Sequence, residues 1–161
     1  MFILLTSKLR KEKRAVEEII SIVLQKDPSI NIIGIQIKPG LSLLESKISI
    51  SDLKSLLIKV KRAYAIKIIP LEYRFKRIEE IASLIQEKVY NKKVAIRCSS
   101  RFNVKGHEVE KMLGAMLNKI NMKIDLKQPD FVIAIEPIMD HLYVSILTLK
   151  DYLFFANKKR I

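Results

Sequence analysis

The sequence is poor in the residues on which most enzymes and secreted domains depend. Its single cysteine, Cys98, excludes an internal disulfide and a cysteine-based zinc site. Two histidines, His107 and His141, leave little for acid–base chemistry. With four glycines in 161 residues, no glycine-rich phosphate loop can be assembled. No apolar run approaches the roughly 20 residues that span a bilayer. The N-terminus, MFILLTSKLRKEKR, places its apolar residues before its basic ones, the reverse of a signal peptide. A cytoplasmic protein without a membrane segment is therefore expected. The length is short for a barrel enzyme of about 250 residues and leaves room for one domain or two small ones.

Acidic residues are also in the minority: 17 against 30 basic ones, a formal net charge of +13. Hydrophobic residues make up 49% and charged residues 29%, a globular balance. Such a cation excess attracts polyanions, nucleic acid first and an anionic membrane surface second.

Residues 2–5 predict a strand that ends at Thr6-Ser7. The basic run Lys8, Arg10, Lys11, Lys13, Arg14 follows. Ala15, Val16, Ile19, Ile20, Val23 and Leu24 then repeat at helical spacing until Asp27-Pro28 stops the pattern. Residues 30–37 and 41–48 read as a hairpin about Pro39-Gly40. Ser51 is the expected cap of a helix carrying Leu53, Leu56, Leu57 and Val60, and residues 64–69 form a strand. The order β-α-β-β-α-β is the ferredoxin-like one, a four-stranded antiparallel sheet with two helices on one face.

Pro70-Leu71-Glu72-Tyr73 marks a joint between domains at 1–70 and 71–161. A helix pattern starts at Arg74, with Ile78, Ile81, Ala82, Ile85 and Val89 on one face. Residues 93–97 predict a strand and 101–105 a basic loop. Gly106 is the expected N-cap of a helix whose core face is Val109, Met112, Leu113, Met116 and Leu117. Gly114 lies mid-helix, where glycine costs about 1 kcal/mol against alanine, so a close approach is expected there. Short strands follow at 122–126, 131–135 and 142–147. Beyond Thr148 the pattern yields no element, only an aromatic-apolar patch (Tyr152, Leu153, Phe154, Phe155) and a basic end (Lys158, Lys159, Arg160).

The stretch KVAIRCSSRFNVKGHEVEKMLGAML, followed by KIDLKQPDFVIAIEPIMDHLYVSI, resembles the THUMP domain. A strand ending in Arg97 has Arg101 shortly after it. A helix then opens Glu108-Val109 and reaches Leu113-Gly114. The segment Asp125-Leu126-Lys127-Gln128-Pro129-Asp130 comes next, and a strand pair ends in Tyr143-Val144-Ser145-Ile146. The resemblance covers roughly residues 75–148. Two departures occur: Gly106 stands where serine or threonine often caps the helix, and Cys98 where valine is common.

The resemblance implies an α+β chain, an N-terminal ferredoxin-like domain followed by an α/β THUMP domain. It also implies an RNA-binding module that grips tRNA near its acceptor stem. Family members usually carry a catalytic domain after the module, for methylation, thiolation, pseudouridine formation or deamination. This sequence stops at Ile161, so the expectation is that the enzyme is missing or is supplied by another protein. The branch that fits is similar to the stand-alone adaptor of the RNA cytidine acetyltransferase.

Residues 88–127 hold ten cations against three anions, net +7. The expected RNA-binding residues are Lys92, Lys93, Arg97, Arg101, Lys105, His107 and Lys111, the arginines forking phosphate oxygens. Lys8, Arg10, Lys11 and Arg14 form a possible second RNA contact; in the competing reading Glu12 and Glu17 pair with these lysines. Asp125 and Asp130 shape a turn, His141 sits in another, and Cys98 is expected on a strand and unreactive. No catalytic set, metal site or small-molecule cofactor is expected. The reading is a non-catalytic adaptor that presents tRNA to a separate modification enzyme such as a cytidine acetyltransferase. Its alternatives are a lone RNA enzyme, a general basic nucleic-acid binder, or the RNA-binding subunit of a thiolation or methylation enzyme. The aromatic patch is a candidate docking surface for a partner.

Overall fold

The computed structural model describes residues 1–156; Lys158, Lys159 and Arg160 lie outside the described residues. The described chain forms two compact units, one of Met1–Pro70 with Phe155 and Ala156, the other of Leu71–Phe154.

The first unit contains β1 (Phe2–Ser7), α1 (Glu12–Val23), β2 (Asn31–Lys38), β3 (Leu41–Glu45), α2 (Ile50–Ile58) and β4 (Ala65–Leu71). Its sheet order is β2-β3-β1-β4, with β3 antiparallel to both β1 and β2. This is the ferredoxin-like arrangement expected from the element order. The α1 stripe buries Ala15, Val16, Ile19 and Val23, joined by Ile22. Leu24 lies past the helix end and is 46% exposed. Ser49, not Ser51, caps α2: its backbone is extended and its side chain accepts from the Asp52 N–H at 3.0 Å. Ser51 already lies inside the first turn.

A buried carboxylate ties this unit together. Asp27 accepts from the Ser29 hydroxyl at 2.6 Å, the Ser46 hydroxyl at 2.6 Å, the Lys47 N–H at 2.7 Å and the Ser29 N–H at 2.9 Å. These bonds, led by the Ser29 hydroxyl, hold its carboxyl far below the usual carboxylate range.

The second unit contains β5 (Tyr73–Phe75), α3 (Ile78–Val89), β6 (Lys93–Cys98), α4 (Gly106–Lys119), β7 (Lys123–Ile124), β8 (Phe131–Ile138) and β9 (His141–Thr148). Its mixed sheet has the order β5-β9-β8-β6-β7. Strand β6 runs parallel to β7 and β8, whereas β9 is antiparallel to β8 and β5. Ile81 and Ile85 of α3 and Val109, Leu113 and Leu117 of α4 bury against Val94, Ile96, Ile133 and Val144 of the sheet.

Four expectations are corrected here. Tyr73 and Phe75 pair with Val144 and Leu142 as β5, so the helix after them starts at Ile78 rather than Arg74. Met112 is 51% exposed and is not core. A β-carbon on Gly114 would meet Ile124 Cδ1 at an ordinary 3.6 Å, so no close approach requires that glycine. The aromatic patch belongs to a helix, α5 (Leu149–Ala156), in which Phe155 is buried and Leu153 is 51% exposed.

Candidate nucleic-acid interface

Strand alternation decides what β6 offers to solvent. Val94 and Ile96 point into the core beneath α3 and α4, so Lys93 and Arg97 take the opposite face. Arg97 is half-buried, and its Nη2 donates to the Leu126 carbonyl at 3.3 Å. Lys93 Nζ lies 3.9 Å from Asp125 Oδ2.

Past Cys98 the chain turns a corner into α4. The Cys98 N–H donates to Glu110 Oε1 at 2.9 Å, and the Ser99 N–H to the Ile135 carbonyl at 3.1 Å. Arg101 and Val104 bridge a tight turn in which Phe102 (φ 51°) and Asn103 (φ 62°) are both left-handed. Two such residues in succession match a type I′ turn. Arg101 forms an ion pair with Glu136, which also accepts the Ser99 hydroxyl at 2.9 Å. Glu136 is only 5% exposed.

Gly106 is not the N-cap. Lys105 holds that position without a capping side chain, and Gly106 is the first helical residue. Its N–H donates to the Ser100 hydroxyl at 2.9 Å. Ser100 thus supplies the hydroxyl that the cap position lacks, from six residues upstream in sequence. A β-carbon on Gly106 would overlap the Cys98 carbonyl oxygen, so only glycine lets α4 start this close to β6.

The structure divides the expected site. Arg97 lies at the C-terminal end of β6 on the face turned away from α4, Arg101 and Lys105 lie in the loop between β6 and α4, and His107 and Lys111 lie on α4. His107 and Lys111, both exposed, share a face of α4 at i,i+4 spacing. Lys105 is exposed, with Nζ 3.9 Å from Glu108 Oε1. Lys92 and Lys93 stand at the other end of β6, about 17 Å away at strand rise. The Lys93 N–H donates to Asp130 Oδ2 at 2.9 Å. Asp125 shapes the turn after β7 by accepting the Lys127 and Gln128 N–H groups at 3.0 Å, and these bonds lower its carboxyl below the usual range.

In the first unit Lys8, Arg10 and Lys11 are exposed between β1 and α1. Arg14 lies over the Tyr64 ring at 5.4 Å and donates to its hydroxyl at 3.2 Å. Glu12 does not serve as a surface partner for the lysines: it is buried and accepts the Gly40 N–H at 2.8 Å, which lowers its carboxyl. Burial, reinforced by Glu136 and Glu110, pushes the Cys98 thiol up to about 12 and keeps it protonated. Among the described residues no three ligating side chains group to hold a metal, and no helix is long and apolar enough to cross a membrane.

Sequence reasoning missed Ser99, Ser100 and Glu136. The signal for Glu136 was available: it is the one acid inside the apolar run Phe131–Ile138.

Residues 72–147 match the model of the THUMP domain family. No match was found among curated proteins. Similar solved structures include PH1313 from Pyrococcus horikoshii Ot3, with 18% identity and a TM-score of 0.62 over 91% of this chain and 55% of that one. TrmN from Thermus thermophilus is similar at 13% identity and a TM-score of 0.59, over 90% of this chain and 44% of that one. A 4-thiouridine synthetase in complex with RNA and ATP is similar at 15% identity and a TM-score of 0.52, over 91% and 41%. At these identities the likeness shows a shared fold, and the chain spans about half of those proteins or less. With the mixed sheet, the strand-to-helix corner and the family match on one segment, residues 72–147 form a THUMP domain.

Proposed function

We propose that this chain is a non-catalytic tRNA-binding adaptor. It grips tRNA near the acceptor stem and presents it to a separate modification enzyme, a tRNA cytidine acetyltransferase. The observation that carries the RNA-binding part is the corner after β6. There Arg101 and Lys105 precede the first turn of α4, whose N-terminus adds a fixed positive pole, with Arg97 at the end of β6 and His107 and Lys111 on the helix itself. Lys8, Arg10, Lys11 and Arg14 would supply the second contact. Holding tRNA beside a bound enzyme makes the encounter effectively unimolecular, which is how a chain without chemistry accelerates a reaction.

A second reading, the RNA-binding portion of a thiolation or methylation system, draws on the folds shared with the 4-thiouridine synthetase and TrmN. Reconstitution separates the two. Under the adaptor reading the purified chain raises the acetylation rate of a cytidine acetyltransferase on tRNA and leaves that on an isolated oligonucleotide unchanged. No stimulation, or tRNA modification by the chain alone, contradicts the proposal.

A further inference from the structure

We infer that Glu136 is a positioning residue for RNA binding, acting through Arg101; the inference rests on the tRNA-binding reading above. Glu136 follows Ile135, the residue of β8 paired with Cys98 at the end of β6. It is anchored on an inner strand, whereas the residues it holds belong to the corner loop. One carboxylate oxygen takes the Ser99 hydroxyl at 2.9 Å, and the other takes the Arg101 guanidinium. Removing a carboxylate from water is costly and is offset only by partners of this kind. The buried acid therefore ties two points of the loop to the rigid sheet.

Arginine is suited to this arrangement because its planar fork presents five donors. One edge engages Glu136 while the side chain stays 25% exposed, so the rest of the fork can meet a phosphate. Glu136 sets the plane and direction of that fork before RNA arrives, which lowers the ordering cost of binding.

The inference makes a prediction of opposite sign to simple electrostatics. Glu136 is an anion beneath a surface that binds a polyanion. If charge alone mattered, Glu136→Gln would strengthen tRNA binding. As a positioning residue its loss weakens binding, and only while Arg101 is present.

The experiment is a double-mutant cycle on the full chain, with tRNA dissociation constants measured at fixed salt for wild type, E136Q, R101A and the double variant. Wild type is first compared on tRNA and duplex DNA. A wild-type chain that does not prefer tRNA overturns the functional reading, and this inference with it. Where wild type prefers tRNA, E136Q is expected to weaken binding about tenfold. In the R101A background the same change is expected to cause no weakening. Unchanged or tighter binding of E136Q, or equal weakening with and without Arg101, overturns the inference alone. R101A strands the buried Glu136, so folding of each variant is checked by thermal melting, and if E136Q or R101A does not fold, Ser99→Ala decides. It leaves every charge in place but removes the Ser99 hydrogen bond to the carboxylate, and is expected to weaken binding about threefold at unchanged salt slope. Wild-type affinity in that variant overturns the inference.

Discussion

Gly106 meets the carbonyl oxygen of Cys98 so closely that a β-carbon on the glycine would overlap it. This contact joins the last residue of β6 to the first residue of α4 and brings Lys105 and His107 toward the strand that carries Arg97. Gly106→Ala is therefore expected to shift the start of α4. Overpacking against backbone should cost about 1–3 kcal/mol of stability, read from urea midpoints. The same variant should weaken tRNA binding by more than its loss of folded protein accounts for.

Gly114, eight residues along the same helix, behaves oppositely. Its missing β-carbon has room against Ile124, so alanine removes only the conformational penalty of glycine. Gly114→Ala should raise stability by about 0.5–1 kcal/mol, seen as a higher melting temperature with tRNA affinity unchanged. A loss of stability would show that the space beside Ile124 is not available.

Periodicity carried much of the fold: the helical stripes of α1, α3 and α4 and the β-branched runs of the strands were legible because burial imposes them. The missed elements had weaker signals. At three residues β5 is too short to show alternation, and its place is set by pairing with β9, far away in sequence. The cap of α2 lay two residues before the serine expected, a shift that periodicity does not resolve. At the candidate site, composition located the cations but not their partners. That Arg101 meets Glu136 and Ser100 meets the Gly106 N–H depends on tertiary geometry alone.

The Asp27 network makes stability depend on acid. Its folded pKa lies below the unfolded value of about 3.9, so between the two the unfolded state binds the extra proton. Its contribution is then fully present above the unfolded pKa and is lost as pH falls through that value toward the folded one. Asp27→Asn should lower the neutral-pH stability on the order of 2 kcal/mol and reduce the fall in urea midpoint between about pH 6 and about pH 3. Asp125, Asp140 and Glu12 are lowered too, so the difference between wild type and variant isolates Asp27.

The central claim, that the corner after β6 is where tRNA binds, is tested most directly by exchanging equal charge at two places. Arg101 is spared, because removing it strands the buried Glu136. One variant carries Arg97→Gln, Lys105→Gln and Lys111→Gln. The control carries Lys26→Gln, Lys59→Gln and Lys61→Gln, three exposed lysines of the first unit. Both lose three charges, and tRNA affinity is measured for each across a salt series. The corner variant should bind at least about tenfold more weakly, with a salt slope shallower by about 2, while the control stays near wild type. Equal weakening of the two would contradict the account and reduce the binding to diffuse positive charge.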